Sequence, residues 1–570
     1  MKASKFKTAP VAVAADAAQR EWWRYGAGLL IAFVAVFVVF GPALNGPFLL
    51  DDTYLPYVQP AFASAPVSAW IAGTRPLLMF SYWLNFQAAG SEPGPYHVTN
   101  VLLHLLNGFL IWLAVRKILT LSGVAEREIY SAFASGLFLI HPLQTESVAY
   151  IASRSEAQSV FFFLAAFVLF LYRRSVSVSW GIAALVLVLF GAACLTKEHA
   201  AVLPVLLLLT DYFWNPGFSF QGIRRNWKLY VPIVAGGAVA VVFVARVLSA
   251  STSAGFGMKD LPWYQYFYTQ CRAIWRYVLF YVWPVGQNID HDFPVSRTLF
   301  DYGAVIGLIG LVLLIAAAWW WRKRCPLISY GVFTYLLLLS PTSSFVPIRD
   351  TLIERRMYLP FIGLLLVTVG LLQLWKASRS TLVMVLSAVL LVEAGLAYSR
   401  NQLWGDAISM WADSVAKSPS KVRPRFQLAA AYYSTTRCAD AADQFARTAK
   451  LEPPSAALLV DWALAADCAG NANEALIRLQ QALALGPTAH IYTEVAREYA
   501  KLNQFPQALD SLDAAAKVDP NYVMIYAYRG RIHAMRGDKA GAAADYQHAL
   551  QIDPQNQLAS QGLSELSRRP

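Results

Sequence analysis

Apolar runs of about bilayer length follow one another through the first four hundred residues of this chain of 570. A spanning helix needs roughly 20 mostly apolar residues. Runs of that kind leave no room for a single soluble domain, and they exclude disorder. Spans are expected near 25–43, 97–115, 130–146, 157–172, 178–195, 199–213, 229–248, 302–321, 327–341, 358–375 and 380–398. The first begins after about 25 residues and is long enough to cross a bilayer, so it reads as a span and not as a cleavable leader.

Charge then orients the spans. The whole net charge of +12 sits before residue 401, and residues 401–570 carry 17 basic and 17 acidic side chains. A basic excess of this size would suggest nucleic acid if it lay on one surface. Here it falls in clusters at Lys2/Lys5/Lys7/Arg20/Arg24, Arg116/Lys117/Arg127, Arg173/Arg174, Arg224/Arg225/Lys228, Arg322/Lys323/Arg324 and Lys376/Arg379. Eleven spans with a cytoplasmic N-terminus put every cluster on the inner side, against the acids Asp16, Glu21, Glu126, Glu128 and Asp211, as the positive-inside rule requires. The charge is a topology signal and no nucleic-acid partner is expected. The odd span count carries residues 401–570 to the outer face. The segment 262–287, rich in Trp, Tyr and Arg, is expected as an outer interfacial helix, because a twelfth span would turn the cluster at 322–324 outward.

The last part of the chain has its own period. Proline recurs at 419, 453, 487, 520 and 554, spacings of 34, 34, 33 and 34. That is the tetratricopeptide period. Four repeats are expected to stack into a solenoid with a concave groove, either a spacer or a surface for a protein or peptide. The expected divisions are a cytoplasmic segment 1–24, a membrane domain 25–400 and an outer repeat domain 401–570. The fold class is all-α. Cys438 and Cys468 fall at neighbouring helix ends, open to a disulfide or to two buried thiols.

Polar groups beside the spans are the candidates for chemistry. Asp51 and Asp52, in "NGPFLLDDTYLPY", follow the first span. They read either as a solvated capping pair or as a general base with a neighbour that orients it or holds a metal. Adjacent carboxylates repel, which should raise one pKa, as suits a base. A divalent metal stays open, with Asp52 its candidate ligand. Arg75, His97, His141, Glu146, Arg154 and Glu198 are candidates for a sugar and acceptor site. Asn100, His104, Glu156, His199, Asp290, His291, Asp292, Arg349, Asp350, Glu354 and Arg356 lie on the same side. Arg272, Arg276, Arg355 and Lys197 are candidates for holding a donor phosphate; Arg272 and Arg276 read equally well as snorkelling anchors. No Walker, Rossmann or HExxH motif is present, so a donor used on the outer face should arrive in the membrane, and a polyprenyl-phosphate sugar fits.

In order along the chain, "LLDDTYLPY", "TRPLLMFSYWLN", "YHVTNVLLHLLN", "HPLQTESVAYIASRSE", "TKEHA", "ERRMYLP" and the repeats resemble the transmembrane and tetratricopeptide-repeat-containing O-mannosyltransferases and their bacterial relatives, of the glycosyltransferase-C superfamily. The resemblance implies a glycosyltransferase-C membrane fold and outer repeats. It also implies a catalytic acidic pair on the first outer loop, here Asp51 and Asp52, and inverting transfer of a polyprenyl-phosphate-linked sugar to protein Ser/Thr. Gln144 stands where the family more often has a second histidine, HPxHTE, which leaves the sugar open. The Ala-rich composition suits a bacterial chain, with an undecaprenyl-linked donor, an inner-membrane location and a periplasmic outer face. A lipid or glycan acceptor, a non-catalytic repeat scaffold and a transporter are the competing readings. Polar groups clustered at one face, and not at mid-membrane, count against the transporter.

Overall fold

The computed structural model describes residues 22–237 and 254–568. Lys2, Lys5, Lys7, Asp16, Arg20, Glu21, nearly all of the 1–24 segment and the second half of the span expected over 229–248 lie outside the described residues. The chain divides into two compact units, Met1–Ala407 and Ile408–Pro570. Both are helical; among the described residues the one strand-like feature is an isolated bridge between Ala254 and Ile348.

The longer helices of the first unit are α1 (Trp22–Phe40), α2 (Pro76–Ala89), α3 (Pro93–Leu121), α4 (Arg127–Ile140), α5 (Arg154–Leu171), α6 (Trp180–Cys194), α7 (Leu203–Trp214), α8 (Trp263–Val282), α9 (Ala304–Trp321), α10 (Pro326–Leu339), α11 (Phe361–Leu372) and α12 (Arg379–Trp404). Five helices, Trp23–Ala43, Pro93–Leu121, Ile151–Leu171, Asp301–Trp321 and Arg379–Trp404, are long and apolar enough to cross a membrane, and α6, α10 and α11 are shorter apolar helices. The apolar surface is spread as lipid contact demands: α9 exposes Ile306, Ile309, Val312 and Leu313. Inside, small residues let backbones meet. A Cβ on Gly363 of α11 would stand 2.3 Å from the Tyr335 nitrogen of α10.

One feature differs from the sequence expectation in shape. The span expected over 130–146 stops as a helix at Ile140; His141 is extended (ψ 134°) and leads into a 3-10 turn and the short helix Thr145–Ala149. Pro142 ends the helix there, since it has no N–H to give and disfavours helical geometry in the residue before it. Segment 262–287 does contain a helix, α8, whose buried face carries Tyr266, Gln270, Cys271, Tyr277 and Phe280.

In the second unit, helix pairs follow the proline period. They are α13 (Ala407–Lys417), α14 (Val422–Ser434), α15 (Cys438–Thr448), α16 (Ala456–Cys468), α17 (Ala472–Leu485), α18 (Ala489–Lys501), α19 (Phe505–Val518), α20 (Met524–Met535), α21 (Lys539–Ile552) and α22 (Gln557–Arg568). Ser455, Asn471, Thr488 and Asp538 cap α16, α17, α18 and α21 by accepting a backbone N–H of the first turn, each worth about 1 kcal/mol. Alanines at 463, 475, 482, 496, 508 and 515 are buried between helices. Cys438 and Cys468 are joined as a disulfide between the start of α15 and the end of α16, with Cα atoms 5.6 Å apart.

Candidate functional site

The chain leaves α1 and forms a 3-10 turn, Leu50–Tyr54, that carries both acids. Leu50 sits in the left-handed region at φ 49°, a conformation that costs a non-glycine residue about 1–3 kcal/mol. Under the turn lies an aromatic bed of Tyr57, Trp70, Tyr82 and Tyr96 with Ile151.

The turn sends the two acids opposite ways. Asp52 is 1% exposed. Its Oδ1 accepts the Ala152 N–H at 2.7 Å and the Tyr57 hydroxyl at 3.1 Å, and its Oδ2 accepts the Leu49 N–H at 3.0 Å. Burial pushes the Asp52 carboxyl up to about 7 against the pull of those three donors, and the charge on Asp51 adds least. The raised acid is therefore the inward one, and its cause is burial rather than the repulsion that adjacency suggests. Asp51 is exposed, and its backbone N–H donates to the Tyr150 hydroxyl at 2.9 Å.

From Tyr150 a chain of charged side chains continues. The Arg355 guanidinium lies 5.5 Å from the Tyr150 ring centre. Its Nη1 donates to Glu146 Oε1 at 2.5 Å, and its backbone N–H donates to Oε2 of the same carboxylate at 3.1 Å. Lys197 Nζ pairs with Glu156 and lies 3.4 Å from Ser155 Oγ. His199 Nδ1 is 3.6 Å from the other Glu156 oxygen. Arg75 grips Glu198 with a two-toothed fork, Nε at 3.0 Å and Nη2 at 2.9 Å. Electrostatics ties these pairs together. Burial works against the charge on Arg355, but Glu146, Tyr150 and Glu156 hold its pKa above the usual value. Burial lowers that of Lys197; Glu156 opposes this, and the nearby charges of Arg75 and Arg355 reinforce it. Arg355, Lys197 and Arg75 thus share one region with Glu146, Glu156 and Glu198, three cations set against three carboxylates, and Arg355 is the one that Tyr150 links to the Asp51 turn.

The other expected site residues are placed elsewhere or are engaged within the fold. Arg154 is fully buried; it donates to Asn100 Oδ1, Asn85 Oδ1 and the carbonyls of Ser81 and Tyr96, with its guanidinium 4.5 Å from the Tyr82 ring centre. It pins α2, α3 and α5 to one another. His97 is buried on the Gly46 carbonyl. His141 accepts the Leu143 N–H at Nδ1 and donates from Nε2 to the Tyr281 carbonyl. Arg272 donates to the Pro294 carbonyl and to Ser296 and stacks over Phe293 and Tyr302; Arg276 stacks over Phe280. No described contact joins Arg272 or Arg276 to Arg355 or Lys197. Glu354 accepts from His291, Gln287 and the Asn288 N–H, a satisfied internal carboxylate. Among the described residues, no group of three or more His, Cys, Asp or Glu is placed to hold a metal ion, and the Asp52 carboxylate is turned onto protein donors.

Two residues, Tyr150 and Glu393, were not singled out in the sequence. Tyr150 is an ordinary aromatic within a quoted motif and has no spacing signal. Glu156 was named among the outer acids, but nothing in the sequence marks its partnership with Lys197. Glu393, in α12 and 3.8 Å from His141, was detectable as an acid within an apolar span.

Comparison with known proteins gives one family match and several relatives. The tetratricopeptide repeat family matches residues 493–557. A protein O-mannosyl-transferase of Caenorhabditis elegans is 22% identical over 66% of this chain and 54% of its own length. Protein O-mannosyl-transferases of Drosophila melanogaster and Homo sapiens are 35% and 33% identical over 24% and 25% of this chain, each over 15% of its own length. The chain therefore spans about half the length of the first relative and a smaller share of the other two. With its apolar helices and its repeats, the chain is similar to these protein O-mannosyl-transferases.

Proposed function

We propose that this chain is an integral-membrane glycosyltransferase that moves a sugar, in an inverting reaction, from a polyprenyl-phosphate donor to an acceptor hydroxyl, a protein Ser or Thr, on the extracytoplasmic face. The observation that carries the reading is the exposed Asp51 carried on the turn that Tyr150 holds, with Arg355 across the same tyrosine and Lys197 and Arg75 beyond. Asp51 takes the proton of the acceptor hydroxyl. The freed oxygen attacks the anomeric carbon from the face opposite the phosphate. The bond from that carbon to the phosphate oxygen breaks, and the electron pair leaves with the polyprenyl phosphate. Arg355 and Lys197 meet that charge in a region where burial strengthens the attraction. Arg75, Glu198 and Glu146 face the sugar and acceptor hydroxyls. Asp52 orients the turn from within. Arg272, engaged with Pro294 and Ser296, anchors α8.

The membrane domain of this reading is 25–400, with 401–570 outside and presenting its groove to a protein acceptor. The Cys438–Cys468 disulfide supports an oxidising compartment for the repeats, which in a bacterial cell is the periplasm, with the N-terminus cytoplasmic.

The test is transfer by the purified full chain from a panel of polyprenyl-phosphate sugars to Ser/Thr peptides. Asp51→Asn should abolish transfer with folding intact; full turnover by that variant overturns the reading. A repeat scaffold without catalysis is the alternative, and transfer to short peptides that persists after deletion of 408–570 excludes it.

A further inference from the structure

Tyr150 touches both sides of the site through two different atoms. Its hydroxyl oxygen accepts the Asp51 N–H at 2.9 Å. Its ring lies under the Arg355 guanidinium at 5.5 Å and stacks on Trp404 at 6.1 Å with a 24° tilt. Trp404 is 1% exposed and Tyr150 2%, so the ring is clamped in the core while only its hydroxyl reaches the turn. The next residues continue the grip, since the Ala152 N–H holds the Asp52 carboxylate. The turn needs that grip: Leu50 at φ 49° is uphill, and a loop in such a conformation relaxes when its restraints go.

We propose that Tyr150 is the positioning residue of this site: one side chain fixes the backbone of Asp51 and the guanidinium of Arg355, and so sets the gap between the proton acceptor and the cation that meets the leaving phosphate. The proposal rests on the transferase reading above. A tyrosine suits the task because the ring sets Arg355 by its face and the hydroxyl sets Asp51 by its edge. Phenylalanine keeps the first contact and loses the second.

The experiment uses the full chain in detergent and compares Tyr150→Phe with the unaltered protein in two independent measurements. The first is hydrogen exchange of the peptide covering 49–55. The Asp51 amide should exchange about two- to ten-fold faster in the variant, as loss of one hydrogen bond implies. The second is steady-state transfer from polyprenyl-phosphate mannose to a Ser/Thr peptide. Here kcat should fall about ten- to a hundred-fold, the loss that a misplacement near 1 Å produces, with donor KM and unfolding temperature unchanged. Unchanged exchange, or unchanged kcat, overturns the proposal. A fall in kcat that tracks a lowered unfolding temperature or a raised donor KM also overturns it, since that is a structural loss. Asp51→Asn separates the two layers. If that variant is dead while Tyr150→Phe is normal, the positioning role fails alone; if Asp51→Asn turns over normally, the base reading fails. An unaltered chain that gives no transfer overturns both.

Discussion

Asp52 and Ala152 meet at 2.7 Å, carboxylate oxygen to backbone N–H, across 100 residues of chain. The contact joins the turn after α1 to the segment before α5, and it explains why only one of two adjacent acids faces outward.

The same burial makes Asp52 a pH-sensitive group. Its folded pKa, about 7, is raised from 3.8, so the folded state binds the proton more tightly than the unfolded chain does. The resulting stability is present in full below about pH 4 and is lost as pH rises through about 7. At 1.36 kcal/mol per unit the ceiling is about 4 kcal/mol. Unfolding temperatures of the unaltered chain and of Asp52→Asn, measured from pH 5 to 8 in detergent, should diverge: the unaltered chain declines with pH relative to the variant. Parallel curves would mean that Asp52 keeps an ordinary pKa.

Arg75 and Glu198 form a geometrically good pair, but their side chains are 36% and 34% exposed. Solvent screening keeps such a pair to about 1 kcal/mol or less. Reversing either charge should lower the unfolding temperature slightly, and the double reversal, Arg75→Glu with Glu198→Arg, should restore it. Transfer activity should stay lost in the double variant, because a substrate would meet the charges in exchanged places. Recovery of transfer together with stability would remove both residues from substrate contact.

Asp211 is the contrasting case. It is fully buried; Oδ1 accepts from Arg173 at 2.8 Å and Asn215 at 3.1 Å, and Oδ2 accepts from Asn226 at 2.6 Å and Tyr230 at 2.7 Å. Removing one partner of a buried charged knot strands the others, at a cost of about 3–5 kcal/mol. Asp211→Ala should destabilise the membrane unit by that amount, read by thermal or denaturant unfolding, and any folded fraction should keep its turnover per molecule.

Legibility in the sequence followed the range of the interaction. The repeats were readable because each proline closes a helix every 34 or so residues, a local event. The apolar helices were readable because lipid demands apolar length. The acidic pair was visible as a pair, but its division of labour was not. That division depends on a backbone N–H from Ala152, which carries no side-chain signature. Arg154 and His97 looked like site residues because charged and aromatic-polar groups stand out beside spans. In three dimensions they satisfy Asn85, Asn100 and backbone carbonyls within the fold. Tyr150 escaped notice for the opposite reason: one more tyrosine among 28 has no local mark.

The disulfide makes the compartment of the repeats measurable. Cys438 and Cys468 enclose a separation of 30 residues, for which loop-closure entropy alone gives about 3–4 kcal/mol. Reduction of the full chain, or Cys438→Ser, should lower the unfolding temperature of the repeat unit and leave that of the membrane unit in place. In native membranes, alkylation before lysis followed by non-reducing peptide mass spectrometry should find the two cysteines joined. Cytoplasmic thiols are kept reduced, so the linkage state also reports which side of the membrane the repeats occupy. Two free, alkylated thiols would move the repeats to the reducing side. The acceptor face would then lie opposite the one from which an outer donor is drawn, and the proposed reaction would lose its geometry.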